Sequence, residues 1–229
     1  MRIDRWISQA TDLSRKDVQA AIKAKRVAVD GDAVSSPAFP VRATDTVTLD
    51  GAVLKAAGPR YFMLHKPAGY LCATQDAHHP TVLDLLEEPN KHGLQIVGRL
   101  DLDTTGLLLI TDDGRWNHRV TSPRRACEKS YIASLAAPLS PDAPKAFAEG
   151  ILLRNETHPT RPATVEPLAD QRCRVTLCEG RYHQVKRMLG ALDNRVLTLH
   201  RERIGSIHLD PALEPGQYRP LTEAEIGSI

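Results

Sequence analysis

Between Gly98 and Thr111 the chain runs Gly-Arg-Leu-Asp-Leu-Asp-Thr-Thr-Gly and then Leu-Leu-Leu-Ile-Thr, closed by Asp112-Asp113-Gly114. A short apolar run bounded by a turn signal reads as a buried strand. Directly before it stands a loop carrying Arg99, Asp101, Asp103, Thr104 and Thr105, with a glycine at each end. A charged loop fixed to the start of a core strand is a place where reactive groups are mounted. The same spacing also suits a solvated turn whose aspartates bond their own backbone. The spacing alone leaves both readings open.

The 229 residues fit one large domain, or a small one beside a medium one. With 41% apolar residues the chain can bury a proper core, which argues against disorder. Aromatic residues are only 4% of the chain, so each one inside a motif carries weight. A net charge of +2 is too small to identify a polyanionic partner, and local clustering says more. The opening Met1-Arg2-Ile3-Asp4-Arg5-Trp6 places charge where a signal peptide needs an apolar core, and no run reaches membrane-spanning length. The expectation is a cytoplasmic protein with no membrane partner, its four cysteines reduced. Cys173 and Cys178 lie five residues apart in an alternating, strand-like pattern and point to opposite faces, so no metal site is expected there.

Residues 1–58 read as a small basic module. Ser14 and Asp17 form a capping-box pattern, Val18 and Ile22 share an inner helix face, and Arg15, Lys16, Lys23, Lys25 and Arg26 are left outside. Val27–Val29 and Val47–Leu49 are strands ending at the turns Asp30-Gly31 and Asp50-Gly51. Ala52 to Gly58 is a linker of small residues. In residues 59–229, strands are expected at Tyr61–Leu64, Leu107–Thr111, Tyr131–Leu135 and Arg174–Leu177, a short helix at Val82–Leu86 and another at His183–Leu192. Strands outnumber helices without βαβ alternation. The class is α+β with a largely antiparallel, mixed sheet.

Four segments in fixed order carry a resemblance: His65-Lys66-Pro67-Ala68-Gly69-Tyr70, the Gly98–Gly106 loop with Leu107, Glu128-Lys129-Ser130-Tyr131, and Glu179-Gly180-Arg181-Tyr182-His183-Gln184-Val185-Lys186-Arg187-Met188. Together they resemble the pseudouridine synthases that modify ribosomal RNA, and residues 1–58 resemble an S4-type RNA-binding domain. The resemblance implies an active-site cleft across the sheet of residues 59–229 and isomerisation of a uridine in 16S rRNA, uridine 516. It implies Asp101 as the catalytic aspartate, working as nucleophile or as base, and Tyr131 as the tyrosine that stacks on the flipped base. Arg99 is then the arginine that helps the base out of the helix. Lys186 stands where the wider superfamily often carries an arginine, as the partner of Asp101. Arg187 competes with it, but adjacent helical residues diverge by about 100°, so one of the two faces the cleft.

Asp103, two residues from Asp101, is expected to point away. Thr104 and Thr105 suit bracing the loop, with Thr105 grouped among the substrate-binding residues. Arg15, Lys16, Arg124, Arg181, His183 and Arg187 are candidate RNA contacts, since such basic clusters suit phosphates on a folded RNA. His65 replaces the family's usual asparagine and is assigned no role. No cofactor or metal is expected, and the protein is expected to act as a monomer on rRNA, naked or within a partly assembled small subunit. Two other readings compete: a non-catalytic rRNA-binding assembly factor, which needs neither Asp101 nor Tyr131, and a haloacid-dehalogenase-type phosphatase. The latter's Asp-x-Asp-x-Thr signature fits Asp101–Thr105, but Gly98-Arg99 interrupts the strand that must precede it.

Overall fold

The structure is a computed structural model that describes residues 1–55 and 58–229. The chain forms two compact units, Met1–Pro59 with Leu86–Leu94, and Arg60–Leu85 with Gln95–Ile229. The sequence assigns residues 86–94 to the second unit, but they group with the first. They are tied there by a long-range bond, the Asn90 side-chain amide donating to the carbonyl of Thr11, 79 residues away.

The first unit contains α1 (Ile3–Ala10), α2 (Arg15–Lys23) and the strands β1 (Val27–Val29), β2 (Asp32–Ala33), β3 (Val47–Leu49) and β4 (Ala52–Val53). The strands form an antiparallel sheet in the order β2-β1-β3-β4. The Ser14 hydroxyl accepts the Asp17 N–H at 3.2 Å and the Asp17 carboxylate accepts the Ser14 N–H at 3.3 Å, so two of the orphan donors at the start of α2 are satisfied reciprocally. Val18 and Ile22 of α2 are buried with Ile3 and Ile7 of α1 and with Val27 and Val29 of β1. Asp30-Gly31 and Asp50-Gly51 adopt positive φ throughout, as two-residue hairpin turns between twisted strands require. Ala52 and Val53, expected in a linker, pair with β3 because the second of these turns folds them back. Ala56 and Ala57 of that linker lie outside the described residues. Arg15 and Lys16 are exposed on α2.

The second unit contains β5 (Tyr61–Lys66), β6 (Gln95–Val97), β7 (Thr105–Thr111), α3 (Gly114–Thr121), β8 (Lys129–Leu135), α4 (Ala143–Glu149), β9 (Thr164–Leu168), β10 (Arg172–Leu177), α5 (Gln184–Gly190), β11 (Val196–Ile204), β12 (Ile207–His208), β13 (Tyr218–Pro220) and α6 (Glu223–Gly227). Its sheet runs β13-β5-β7-β11-β8-β10-β9. All the pairings along it are antiparallel except β7 with β11. The α+β class with a mostly antiparallel mixed sheet therefore holds. Leu107 to Ile110 are wholly buried, as an apolar run flanked by strands on both edges demands. One edge of β7 is taken along its length by β5. The other edge is shared, by β6 near Leu109–Thr111 and by β11 only at Thr105–Gly106. The segment 98–104 that links β6 to β7 thus leaves and re-enters the same sheet.

Phe147 of α4 and Val185, Met188 and Leu189 of α5 are buried with Val175 of β10 and Ala133 of β8. Trp116 of α3 is buried in a separate cluster with Met63, Leu107 and Leu109. Asp113 starts α3 by accepting the N–H groups of Arg115 and Trp116 at 2.9 and 3.2 Å. The expected helix at His183–Leu192 is shorter, Gln184–Gly190, and the one at Val82–Leu86 is a tighter 3₁₀ turn over Val82–Leu85. Among the described residues no helix is long and apolar enough to cross a membrane.

Candidate active site

The loop between β6 and β7 is held from within the protein. Lys66, the last residue of β5, is completely buried. Its Nζ donates to the carbonyls of Thr104 at 2.8 Å, Pro67 at 2.9 Å and Leu102 at 3.3 Å. Burial pulls the Lys66 ammonium below the ordinary lysine range, against the opposing pull of Cys72, Asp103 and Asp101. The Leu102 carbonyl also accepts the Gly69 N–H at 2.8 Å. The Leu100 N–H is 3.3 Å from the Cys72 sulfur, whose thiol burial pushes up.

Arg201 of β11, 1% exposed, donates from Nε to the Leu107 carbonyl at 2.8 Å and from Nη1 to the Arg99 carbonyl at 3.4 Å. Its guanidinium carbon lies 5.9 Å from the centre of the Tyr131 ring, within cation–π range. Two buried polar atoms here, Arg201 Nη2 and Thr104 Oγ1, have no hydrogen-bond partner among the described residues. Gly106 brings β7 against β11: its φ is +106°, and a Cβ there would stand 2.3 Å from the Arg201 carbonyl oxygen. A side chain at 106 is excluded on both counts.

The charged side of the site comes from the segment before α5 and from α5 itself. Arg181 donates to the carbonyls of His158 and Pro159 at 2.9 and 2.6 Å, and Gln184 bridges the Arg181 N–H and the Glu179 carboxylate. His183 adopts left-handed backbone (φ +48°) immediately before the helix. With that start, Lys186 Nζ reaches Asp101 Oδ2 at 3.2 Å and Asp103 Oδ1 at 2.6 Å, and His183 Nε2 lies 3.5 Å from Asp101 Oδ1. Lys186 and Asp101 are about three-quarters buried, at 23% and 27% exposure. Desolvation works against the Lys186 charge, yet its bonds to Asp103 and Asp101 carry its pKa above the ordinary lysine value. The same bond from Lys186 holds the Asp103 carboxyl below the usual aspartate range.

Asp103 therefore does not point away. Alternation of side chains belongs to strands, whereas the Thr104 N–H folds back to the Asp101 carbonyl at 3.2 Å. That turn brings both carboxylates to one ammonium. Arg187 diverges from its neighbour and bonds Glu156 at 2.9 Å and the carbonyls of Arg154 and Tyr182. Arg181 and Arg187, expected as RNA contacts, use their guanidinium groups to fix the backbone around α5. Thr105 bonds His200 Nδ1 at 2.9 Å, and His200 meets His65 edge-to-face at 5.5 Å. Burial and the neighbouring His65 lower the His200 pKa. Arg99 and Arg124 present exposed side chains, Arg124 within the turn Pro123–Arg125. Tyr131, on β8, is 8% exposed and is paired in register with Arg201. Sequence reasoning gives no role to Lys66 and groups Arg201 with basic residues suited to RNA phosphates, whereas Arg201 is buried and spends its guanidinium on backbone carbonyls.

The profile of the RNA pseudouridylate synthases matches residues 60–191, more than half of the chain and all of the segment from Lys66 to Lys186. This chain belongs to the RNA pseudouridylate synthase family. It is an isomerase, and its residues 1–47 match the S4 domain. The ribosomal small subunit pseudouridine synthase A of Yersinia pestis is 54% identical over all of this chain and 98% of its own length. The enzyme of that name from Escherichia coli strain K12 is 51% identical over the whole of both chains. A crystal structure of a pseudouridylate synthase superposes with a TM-score of 0.73 and 44% identity, covering 100% of this chain and 99% of that one. Arg201 lies beyond the matched segment, yet in this pseudouridylate synthase it bonds backbone at both ends of the Asp101 loop.

Proposed function

We propose that the protein isomerises a uridine of 16S rRNA to pseudouridine, at uridine 516, in the bacterial cytoplasm and without metal or cofactor. In this reading residues 1–58 bind RNA and residues 59–229 do the chemistry. The observation that carries it is the Asp101 carboxylate set 3.2 Å from Lys186 in a loop fixed by buried cations. Relatives named for the same reaction on the ribosomal small subunit, alike over their full length, support the substrate class.

The reaction breaks the bond from N1 of uracil to C1′ of ribose and forms one from C5 to C1′. C5 gives up its proton and N1 gains one, so nothing is added or lost. The target base has to leave the RNA stack to be reached. Asp101 then serves as nucleophile or base, Lys186 as its fixed countercharge, Tyr131 as the ring beneath the base, and Arg99 as an aid to flipping. A carboxylate poised in this way needs no ligand set for an ion, which is why the reaction can run on side chains alone.

The test is the Asp101→Asn variant together with pseudouridine mapping in small-subunit rRNA from cells with and without the gene. Isomerisation is expected to fall by roughly 10³-fold or more while RNA affinity stays within a few-fold. The mapped pseudouridine should vanish from the cells lacking the protein. Wild-type activity in Asp101→Asn would overturn the assignment of the aspartate. RNA binding with no isomerisation by the wild type would make the chain an assembly factor.

A further inference from the structure

Tyr182 is 76% exposed, more than any other large hydrophobic side chain among the described residues, in a chain with few aromatic residues. Its backbone is nevertheless tightly held. The Tyr182 carbonyl accepts from Arg187 Nη1 at 3.2 Å. The preceding Arg181 is anchored through its guanidinium to His158 and Pro159 and through its N–H to Gln184. The phenol ring lies flat on the His183 imidazole, with centroids 3.8 Å apart and planes 19° from parallel. That imidazole in turn has its Nε2 3.5 Å from Asp101. The order outward from the carboxylate is therefore Asp101, His183, Tyr182, then solvent.

A ring with one face covered, the other open and its backbone fixed has paid its ordering cost before any ligand arrives. What fits its open face is another flat π system, and single-stranded RNA is bound through such rings irrespective of base identity. Extracting a uridine from a strand strips its neighbours of a stacking partner. A ring standing just outside the reacting carboxylate returns that contact. We propose that Tyr182, backed by His183, is a stacking platform for the nucleobase adjacent to the target uridine, a position separate from that of the flipped base. This rests on the reading of the chain as an RNA uridine isomerase and adds the nucleotide next to the substrate.

The experiment uses a stem-loop of small-subunit rRNA containing the uridine that the wild-type protein isomerises. The same RNA is also made with an abasic nucleotide on the 5′ or the 3′ side of that uridine. Turnover and equilibrium binding are measured for wild type, Tyr182→Ala and Tyr182→Phe. Tyr182→Ala is expected to raise KM and Kd about tenfold with kcat changed much less, and Tyr182→Phe to behave as wild type. One of the two abasic substitutions should raise the wild-type KM by a similar factor and add little to Tyr182→Ala. Unchanged KM in Tyr182→Ala, or full additivity with both abasic RNAs, overturns the proposal. So does a loss of kcat or a moved pH profile at constant KM, since the ring would then serve His183 rather than RNA. Thermal unfolding of each variant checks the fold, which an exposed ring should not disturb. If the wild type binds the RNA but isomerises nothing, the functional reading fails. Binding that ignores both Tyr182 and the abasic sites defeats the platform itself.

Discussion

Lys66 and Lys186 both reach the loop that carries Asp101, and they do so in different environments. Lys66 is fully buried and gives its hydrogen bonds to three backbone carbonyls. Lys186 keeps some contact with solvent and gives its bonds to two carboxylates. Burial lowers the first lysine's pKa, while its carboxylate partners raise the second's in spite of burial. The same side chain thus does two jobs. In the dry interior its directional donors fix the path of the backbone, and at the rim its charge holds the Asp103 carboxyl low. Shape and charge in this site are supplied by separate cations.

Removing the inner cation should have the largest effect. Lys66→Met takes the lysine donor from the carbonyls of Thr104 and Pro67 and leaves the Leu102 carbonyl with the Gly69 N–H alone, at a cost of about 1–3 kcal/mol of folding stability. Urea unfolding would measure it, and activity should fall in parallel as the loop loses its path. A variant as stable and active as wild type would break the division drawn above.

Lys186→Met comes next. Turnover should drop roughly 10- to 100-fold with little change in unfolding temperature. The sign of the pH effect follows from the Asp103 carboxyl, which Lys186 holds low. Without that charge Asp103 protonates at higher pH, so an acid limb governed by its ionisation moves upward. In the wild type, the part of folding stability owed to Asp103 is present above the ordinary aspartate range and is lost as pH falls through its depressed value. Asp103 is largely exposed, so that contribution is small. An acid limb that stays in place would mean that Lys186 holds geometry rather than charge.

The smallest effect is expected from Arg187→Met, a neighbour bonded to Glu156 and to backbone. It should cost less than about 1 kcal/mol of stability and leave the pH profile unmoved. A moved profile would transfer the role of countercharge to Arg187.

The strand at Leu107–Thr111, the cap at Ser14 and the hairpin turns were legible because each depends on neighbours in sequence. β11 was not. Val196–Ile204 carries His200, Arg201, Glu202 and Arg203 in its second half, a pattern that reads as a basic cluster suited to RNA phosphates. It is a central strand because Arg201 finds carbonyl partners at Leu107 and Arg99, which no local pattern contains. α1 was missed for a milder reason: its wholly buried apolar residues are Ile3 and Ile7, with Trp6 only partly buried beside them, too short a period to stand out. Within the site, the divergence of Lys186 from Arg187 follows from helical geometry and could be anticipated. The turn that folds Asp103 back beside Asp101 depends on the backbone path set by Lys66, and sequence spacing could not supply it.

The parallel contact of β7 with β11 also orders events in time. It joins Leu107 to Arg201 across 94 residues and Thr105 to His200 across 95. Closing so long a loop costs entropy that only the finished sheet returns. A nascent polypeptide that has emerged only as far as α5 already holds Asp101, Lys66 and Lys186. It still lacks the strand whose arginine ties down both ends of the Asp101 loop. The Asp101 loop is therefore tied at both ends only once β11 has been made, and not when the motif alone is present.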